Sequence, residues 1–373
     1  MGCPMKNVKS LLIAMKYRFI KLCLVLLVCE LIIRILFFST HRNIFVDTDN
    51  IDLFLYQRHP FLEYNLRPNI ELHRRGIALR INSLGFRGKE FNPEDKRPFR
   101  VFVLGGSSVF DKNNIPFCEI LESKLRARYP YRNIEIVNAG VSGYTTSHSL
   151  INLSMRILNY SPDALIIYHS WNDIKTWPYV NRKTGYGELW QKIYCGNEAL
   201  RSLKTLANNS YLWLVAKGWR RELYRRYSSG NRKHLRIEKI LKANEGNDIT
   251  YGKSTYKTNI TNIIAVAKTN KVQVLLINPL TLIKSKNSGK EKECIDYRFV
   301  HVPPEKLIEL VDGARDVLAE VALAEDIPYI DLNKHIGQDL VNLTDQIHLT
   351  VKGNKAVAEY LAQQWDQIWQ QNK

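Results

Sequence analysis

Between residues 100 and 332 the chain alternates short apolar runs with longer stretches in which apolar residues recur every three or four positions. The runs at 100–104, 134–138, 164–168, 272–277 and 329–332 have strand length. They are apolar nearly throughout rather than at alternate positions, which predicts strands buried on both faces. The stretches at 119–128 and 305–324 follow the period of an amphipathic helix. This order predicts an α/β fold, a buried parallel sheet with helices on both faces. About a hundred residues separate the third and fourth runs, far more than one crossover requires, so an insertion is expected at about 174–254. Ahead of the sheet, 56–88 shows short alternating stretches broken by Pro and Gly, which predict irregular structure with one or two edge strands.

A different pattern stands at the N-terminus. Residues 22–38, LCLVLLVCELIIRILFF, are apolar apart from Glu30 and Arg34, and a helix of that length spans about one bilayer core. A single-pass transmembrane anchor is expected here. Glu30 and Arg34 share a helix face and can pair, or the span is shorter and Arg34 reaches the interface. Lys6, Lys9, Lys16, Arg18 and Lys21 precede the run, and Arg42, Asp47, Asp49 and Asp52 follow it. The positive-inside rule then puts 1–21 in the cytoplasm and the body outside it, in the periplasm if the cell is bacterial. No small-x-small cleavage site follows the run, and Val28 before Cys29 does not fit a lipoprotein. Residues 39–99 read as linker and N-terminal extension, and 100–373 as the main domain.

With 373 residues, 45% of them hydrophobic, the chain can bury a full core, which excludes a disordered protein. The net charge of +18 points to an anionic partner, and the predicted topology argues against nucleic acid. Residues 201–239 interleave Arg220, Arg221, Arg225, Arg226, Arg232, Lys233 and Arg236 with Trp213, Trp219, Tyr224 and Tyr227. They form either a solvated helical face or a surface for anionic headgroups or an acidic glycan. Outside the anchor lie Cys118, Cys195 and Cys294; a Cys195–Cys294 disulfide is expected, with Cys118 a buried thiol in the first helix of the sheet domain. The sequence lacks Cys-x-x-Cys, His-Glu-x-x-His and Gly-x-Gly-x-x-Gly, so neither metal nor other cofactor is expected.

In open parallel sheets chemistry gathers outside the carboxyl ends of strands. After the first run come Gly105, Gly106, Ser107 and Ser108; after the second, Gly140 and Gly143; after the third, Asn172; beyond the fifth, Asp345 and His348. Alone, these are turn glycines, helix-capping serines and a helix-capping asparagine. Together they supply a serine, a base, a carboxylate to orient it and donors for an oxyanion. Of nine histidines only His348 has an acid three residues before it.

This ordered set resembles the SGNH hydrolases, also called GDSL-type esterases, from residue 100 to about 364. The family's Gly-Asp-Ser block is matched by Gly105-Gly106-Ser107, a variant of its membrane-anchored members, and NSLGFRG at 82–88 resembles a segment that precedes the block in those relatives. The resemblance implies Ser107, not Ser108, as nucleophile, with Asp345 and His348 completing the triad. It implies Ser107, Gly143 and Asn172 as the oxyanion hole. The implied fold is a three-layer α/β/α sandwich of five parallel strands ordered 2-1-3-4-5. Gly106 in place of Asp, and Ser170-Trp171 in place of Gly before Asn172, depart from the family pattern. The function expected is an extracytoplasmic serine esterase acting on an acylated glycan or lipid, as a deacetylase. An O-acyltransferase, a lipase or lysophospholipase, and a non-catalytic glycan- or membrane-binding module are the alternatives.

Overall fold

In the computed structural model the five predicted runs pair into one parallel sheet. The structure describes residues 5–39, 55–74, 77–95, 97–179, 212, 216, 219, 249–296 and 302–369. The chain divides into two compact units, one of Met1–Phe54, Glu71–His73 and Gly196–Ser228, the other of Leu55–Ile70, Arg74–Cys195 and Ser229–Lys373. The second holds the sheet and every candidate site residue.

In chain order its elements begin with the short strands β1 (Tyr56–His59) and β2 (Glu63–Leu66), an antiparallel hairpin. Strands β3 (Ile70–Arg74) and β4 (Ile77–Ile81) follow, so this region is richer in strands than the one or two expected. Its polar, Gly- and Pro-broken runs are too short for their period to register. Beyond β4, Arg87 makes an antiparallel bridge to Asn138, so the NSLGFRG segment covers part of an open sheet edge.

The sheet comprises β5 (Phe99–Gly105), β6 (Ile134–Asn138), β7 (Ala164–Tyr168), β8 (Gln273–Asn278) and β9 (Tyr329–Asp331), in the order β6-β5-β7-β8-β9. All four pairings are parallel. The order is 2-1-3-4-5, as the family resemblance implies. Every residue of the central β7 is buried, which requires cover on both faces. That cover comes from two groups of helices: α3 (Phe117–Arg128) packs with α9 (Val351–Trp369), and α6 (Thr250–Thr269) packs with α4 (Thr146–Met155) and α8 (Pro304–Glu325). Between them stand the short α2 (Ser107–Phe110), α5 (Trp171–Ile174) and α7 (Gly289–Cys294). Gly105 pairs with Tyr168, and Tyr168 with Ile277, so β5, β7 and β8 end at one level and aim their loops at one place.

Three expectations need correction or fall outside the described residues. Residues 22–38 do lie in one helix, α1 (Met5–Ser39), but among the described residues no helix is long and apolar enough to cross a membrane. Within 14–35, where side chains are described, Lys16, Arg18, Lys21, Glu30 and Arg34 interrupt every run of spanning length. Cys294 is a free thiol, so the expected bridge to Cys195 is not formed; Cys195 itself lies outside the described residues. Cys118 is a fully buried free thiol in α3. The expected insertion lies mostly outside the described residues, as does nearly all of its basic stretch at 201–239.

Candidate active site

The turn that carries Ser107 begins where β5 ends. Gly106 caps α2, its carbonyl accepts the Phe110 N–H at 3.0 Å, and Ser107 is the first helical residue. The two serines point to different partners. Ser107 Oγ lies 2.8 Å from His348 Nε2; Ser108 Oγ donates to the Ile347 carbonyl at 3.1 Å. Ser107 is thus in the relay, and Ser108 fastens its turn to the loop that carries the histidine.

That loop is held on both sides. Thr344 N–H donates to the His348 carbonyl, and Leu282 N–H to the Gln346 carbonyl. His348 Nδ1 is 2.7 Å from Asp345 Oδ2, while Asp345 Oδ1 accepts the backbone N–H groups of Ile347 and His348, each at 2.9 Å. An ionised carboxylate only accepts, so the hydrogen bonds assign the imidazole proton to Nδ1 and leave Nε2 as the base facing Ser107. Burial pushes the Asp345 carboxyl up, but the His348 and backbone hydrogen bonds outweigh it and hold its pKa below the ordinary value. Asp345 and His348 are each about a third exposed, open to a substrate.

Asn172 lies against the turn that carries Ser107, and Gly143 stands in the loop after β6. Gly143 has φ +86°, a conformation that favours glycine. Asn172 is buried in α5 and donates one amide N–H to the Tyr144 carbonyl at 2.9 Å. A Cβ on Gly106 would lie 2.5 Å from Asn172 Nδ2, which places the amide against the backbone that precedes Ser107. Asn172 is therefore not the helix cap that its position after a strand suggests. The adjacent Asp173 supports a different helix: its buried carboxylate accepts the Thr146 N–H at 3.1 Å and the Thr146 hydroxyl at 2.6 Å in the first turn of α4, whose cap is the Thr145–His148 capping box.

Asp173 also belongs to a second serine, histidine and acid group that the sequence does not flag. His169 Nε2 lies 2.7 Å from Ser149 Oγ, but Nδ1 is 3.8 Å from Asp173, beyond hydrogen-bond distance, and all three side chains are buried. Burial lowers the pKa of His169 to about 3 and that of neighbouring His148 to about 4. Both are neutral packing groups. Tyr64, on β2, is the other unflagged neighbour: its hydroxyl donates to the Ser142 carbonyl at 2.7 Å.

Beside Ser107 opens a narrow cavity of about 30 Å³, lined among others by Trp171, Asn172, Leu280, Val311 and Ile347. Trp171 thus places an indole in the wall of the cleft.

No protein-family model and no curated protein matches the chain. Among solved structures, an acetylxylan esterase from Geobacillus stearothermophilus is similar at 13% identity and a TM-score of 0.40, covering 70% of this chain and 92% of its own. Another acetyl xylan esterase is similar at 13% identity and a TM-score of 0.41, covering 72% of this chain and 99% of its own. A GDSL-like lipase from Bacteroides thetaiotaomicron is similar at 14% identity and a TM-score of 0.39, covering 74% of this chain and 92% of its own.

Proposed function

We propose that this chain is a membrane-attached serine hydrolase that removes short acyl groups, acetyl above all, from an envelope glycan or glycolipid. The observation that carries the reading is the unbroken relay from Ser107 Oγ to His348 Nε2 at 2.8 Å and from His348 Nδ1 to Asp345 at 2.7 Å. Ser107 Oγ attacks the ester carbonyl while its proton passes to His348, and Asp345 stabilises the imidazolium that forms. The oxyanion takes the N–H groups of Ser107 and Gly143 and the second amide N–H of Asn172, whose first is bound to Tyr144. Collapse breaks the bond to the alcohol, which leaves with the proton from His348. Water then attacks the acyl-enzyme by the same route and releases the acid.

The preference for a short acyl group is supported by the cavity beside Ser107. It is narrow, about 30 Å³, with Trp171, Leu280, Val311 and Ile347 in its wall, which suits a small acyl group. Hydrolysis of p-nitrophenyl acetate well above that of the octanoate is the expected result; the reverse order removes the acetyl reading.

Membrane attachment is supported by helix α1. Leu22, Leu24, Val25, Leu27, Leu31, Ile32 and Ile35 are exposed around it, while the two charges within the run are engaged. Arg34 pairs with Glu30 at 2.8 Å, and Glu30 also accepts the Leu212 N–H. The expected outcome is sedimentation with membranes; full-length protein in the soluble fraction contradicts the attachment.

A further inference from the structure

Residues 141–144, in the loop after β6, form a turn in which the Tyr144 N–H donates to the Val141 carbonyl at 3.0 Å. Gly143, its third residue, has φ +86°, which is the type II form. Types I and II differ by a flip of the central peptide, here the one joining Ser142 to Gly143. Glycine in the third position tolerates both. The flip reverses the direction of the Gly143 N–H and so decides whether that group can meet an oxyanion.

Tyr64, from the hairpin β1–β2, grips this same peptide. Its hydroxyl donates to the Ser142 carbonyl at 2.7 Å, and a Cβ on Gly143 would lie 2.5 Å from the same oxygen. The grip is itself braced: Tyr144 Oη donates to the Tyr64 carbonyl at 2.7 Å, and the two rings meet edge to face with centroids 5.6 Å apart. A trans peptide is planar, with its C=O and N–H pointing in opposite directions, so fixing the carbonyl fixes the N–H. A hydrogen bond accepted by the carbonyl also polarises the amide and strengthens its N–H as a donor.

We propose that Tyr64 is a positioning residue for ester cleavage, its hydroxyl selecting the turn form in which the Gly143 N–H faces the oxyanion. The hairpin ahead of the sheet is then a working part of the active site. This rests on Gly143 being an oxyanion donor, as in the function proposed above.

The test uses the full chain in detergent with p-nitrophenyl acetate. Tyr64→Phe keeps the ring and removes only the hydroxyl; kcat is expected to fall about tenfold while KM stays within about twofold, the mark of a contact that matters in the transition state. An unchanged kcat overturns the proposal. A stability loss alone does not mimic the effect in a double-mutant cycle with Gly143→Ala, whose Cβ already disturbs the turn. In that background Tyr64→Phe is expected to cost less than about twofold, and a persistent tenfold cost shows that Tyr64 acts elsewhere and overturns the proposal. Ser107→Ala separates the two readings. Activity retained in Ser107→Ala removes the site assignment and this proposal with it, whereas an inactive Ser107→Ala beside a normal Tyr64→Phe removes this proposal alone.

Discussion

Gly106 and Asn172 leave no room for a side chain between them: a Cβ on Gly106 would stand 2.5 Å from Asn172 Nδ2. The Gly-Gly-Ser form of the nucleophile block and the position of the asparagine amide are thus one feature. Gly106→Ala forces the buried amide away from the Tyr144 carbonyl and from the oxyanion. The expected result is a kcat lower by about tenfold to a hundredfold with Ser107 still reactive toward a fluorophosphonate probe. Wild-type turnover in Gly106→Ala contradicts the placement of Asn172.

Asn172 and Asp173 are neighbours with separable tasks. Asn172→Ala is expected to lower kcat by about a hundredfold to a thousandfold as one oxyanion donor is lost. Its stability cost is about 1 kcal/mol, for the bond to Tyr144. Asp173→Ala deletes a fully buried acceptor of two Thr146 hydrogen bonds and is expected to cost about 3 kcal/mol, chiefly in stability. Kinetics and melting curves on the two purified variants read the contrast; equal losses of stability and activity in both count against it.

Acid acts on the fold through the packing histidines. His148 and His169 have pKa values lowered by burial to about 4 and about 3, below the unfolded value of about 6.5. Below that unfolded value the unfolded chain binds more protons than the fold, so stability falls as pH falls. Each histidine contributes about 1.4 kcal/mol per pH unit down to its folded pKa. Asp345, with its pKa held low, adds a loss that begins only below the unfolded carboxylate value. Melting temperature is therefore expected to drop steeply between pH 6.5 and 4, and less steeply in His169→Gln. A flat profile over that range contradicts neutral burial.

Much of this was legible in the sequence because it rests on local pattern. Five apolar runs gave five strands, shifted by no more than a residue or two, since β7 is buried throughout and its neighbours nearly so. Asp345 and His348 were recognisable because they are three apart, and the choice of Ser107 over Ser108 came from the family resemblance. What escaped depends on distance in sequence. Tyr64 meets Ser142 across 78 residues, and Asp173 reaches Thr146 across 27; neither pair has a periodic or motif signal. Asn172 was legible as an oxyanion donor through the family resemblance, whereas the contact of the adjacent Asp173 with Thr146 at the start of α4 shows only in the fold. At the N-terminus the helix and the pairing of Glu30 with Arg34 were both legible, since each is a matter of local spacing.

The central claim is that Ser107, activated by His348, is the nucleophile, and the adjacent Ser108 offers the most direct control. The decisive measurement compares fluorophosphonate labelling and p-nitrophenyl acetate hydrolysis in Ser107→Ala and Ser108→Ala. Ser107 Oγ meets His348 Nε2 at 2.8 Å, and Ser108 Oγ is engaged with the Ile347 carbonyl. Ser107→Ala is therefore expected to abolish both signals, and Ser108→Ala to retain much of both. An active Ser107→Ala, or a dead Ser108→Ala beside it, contradicts the account.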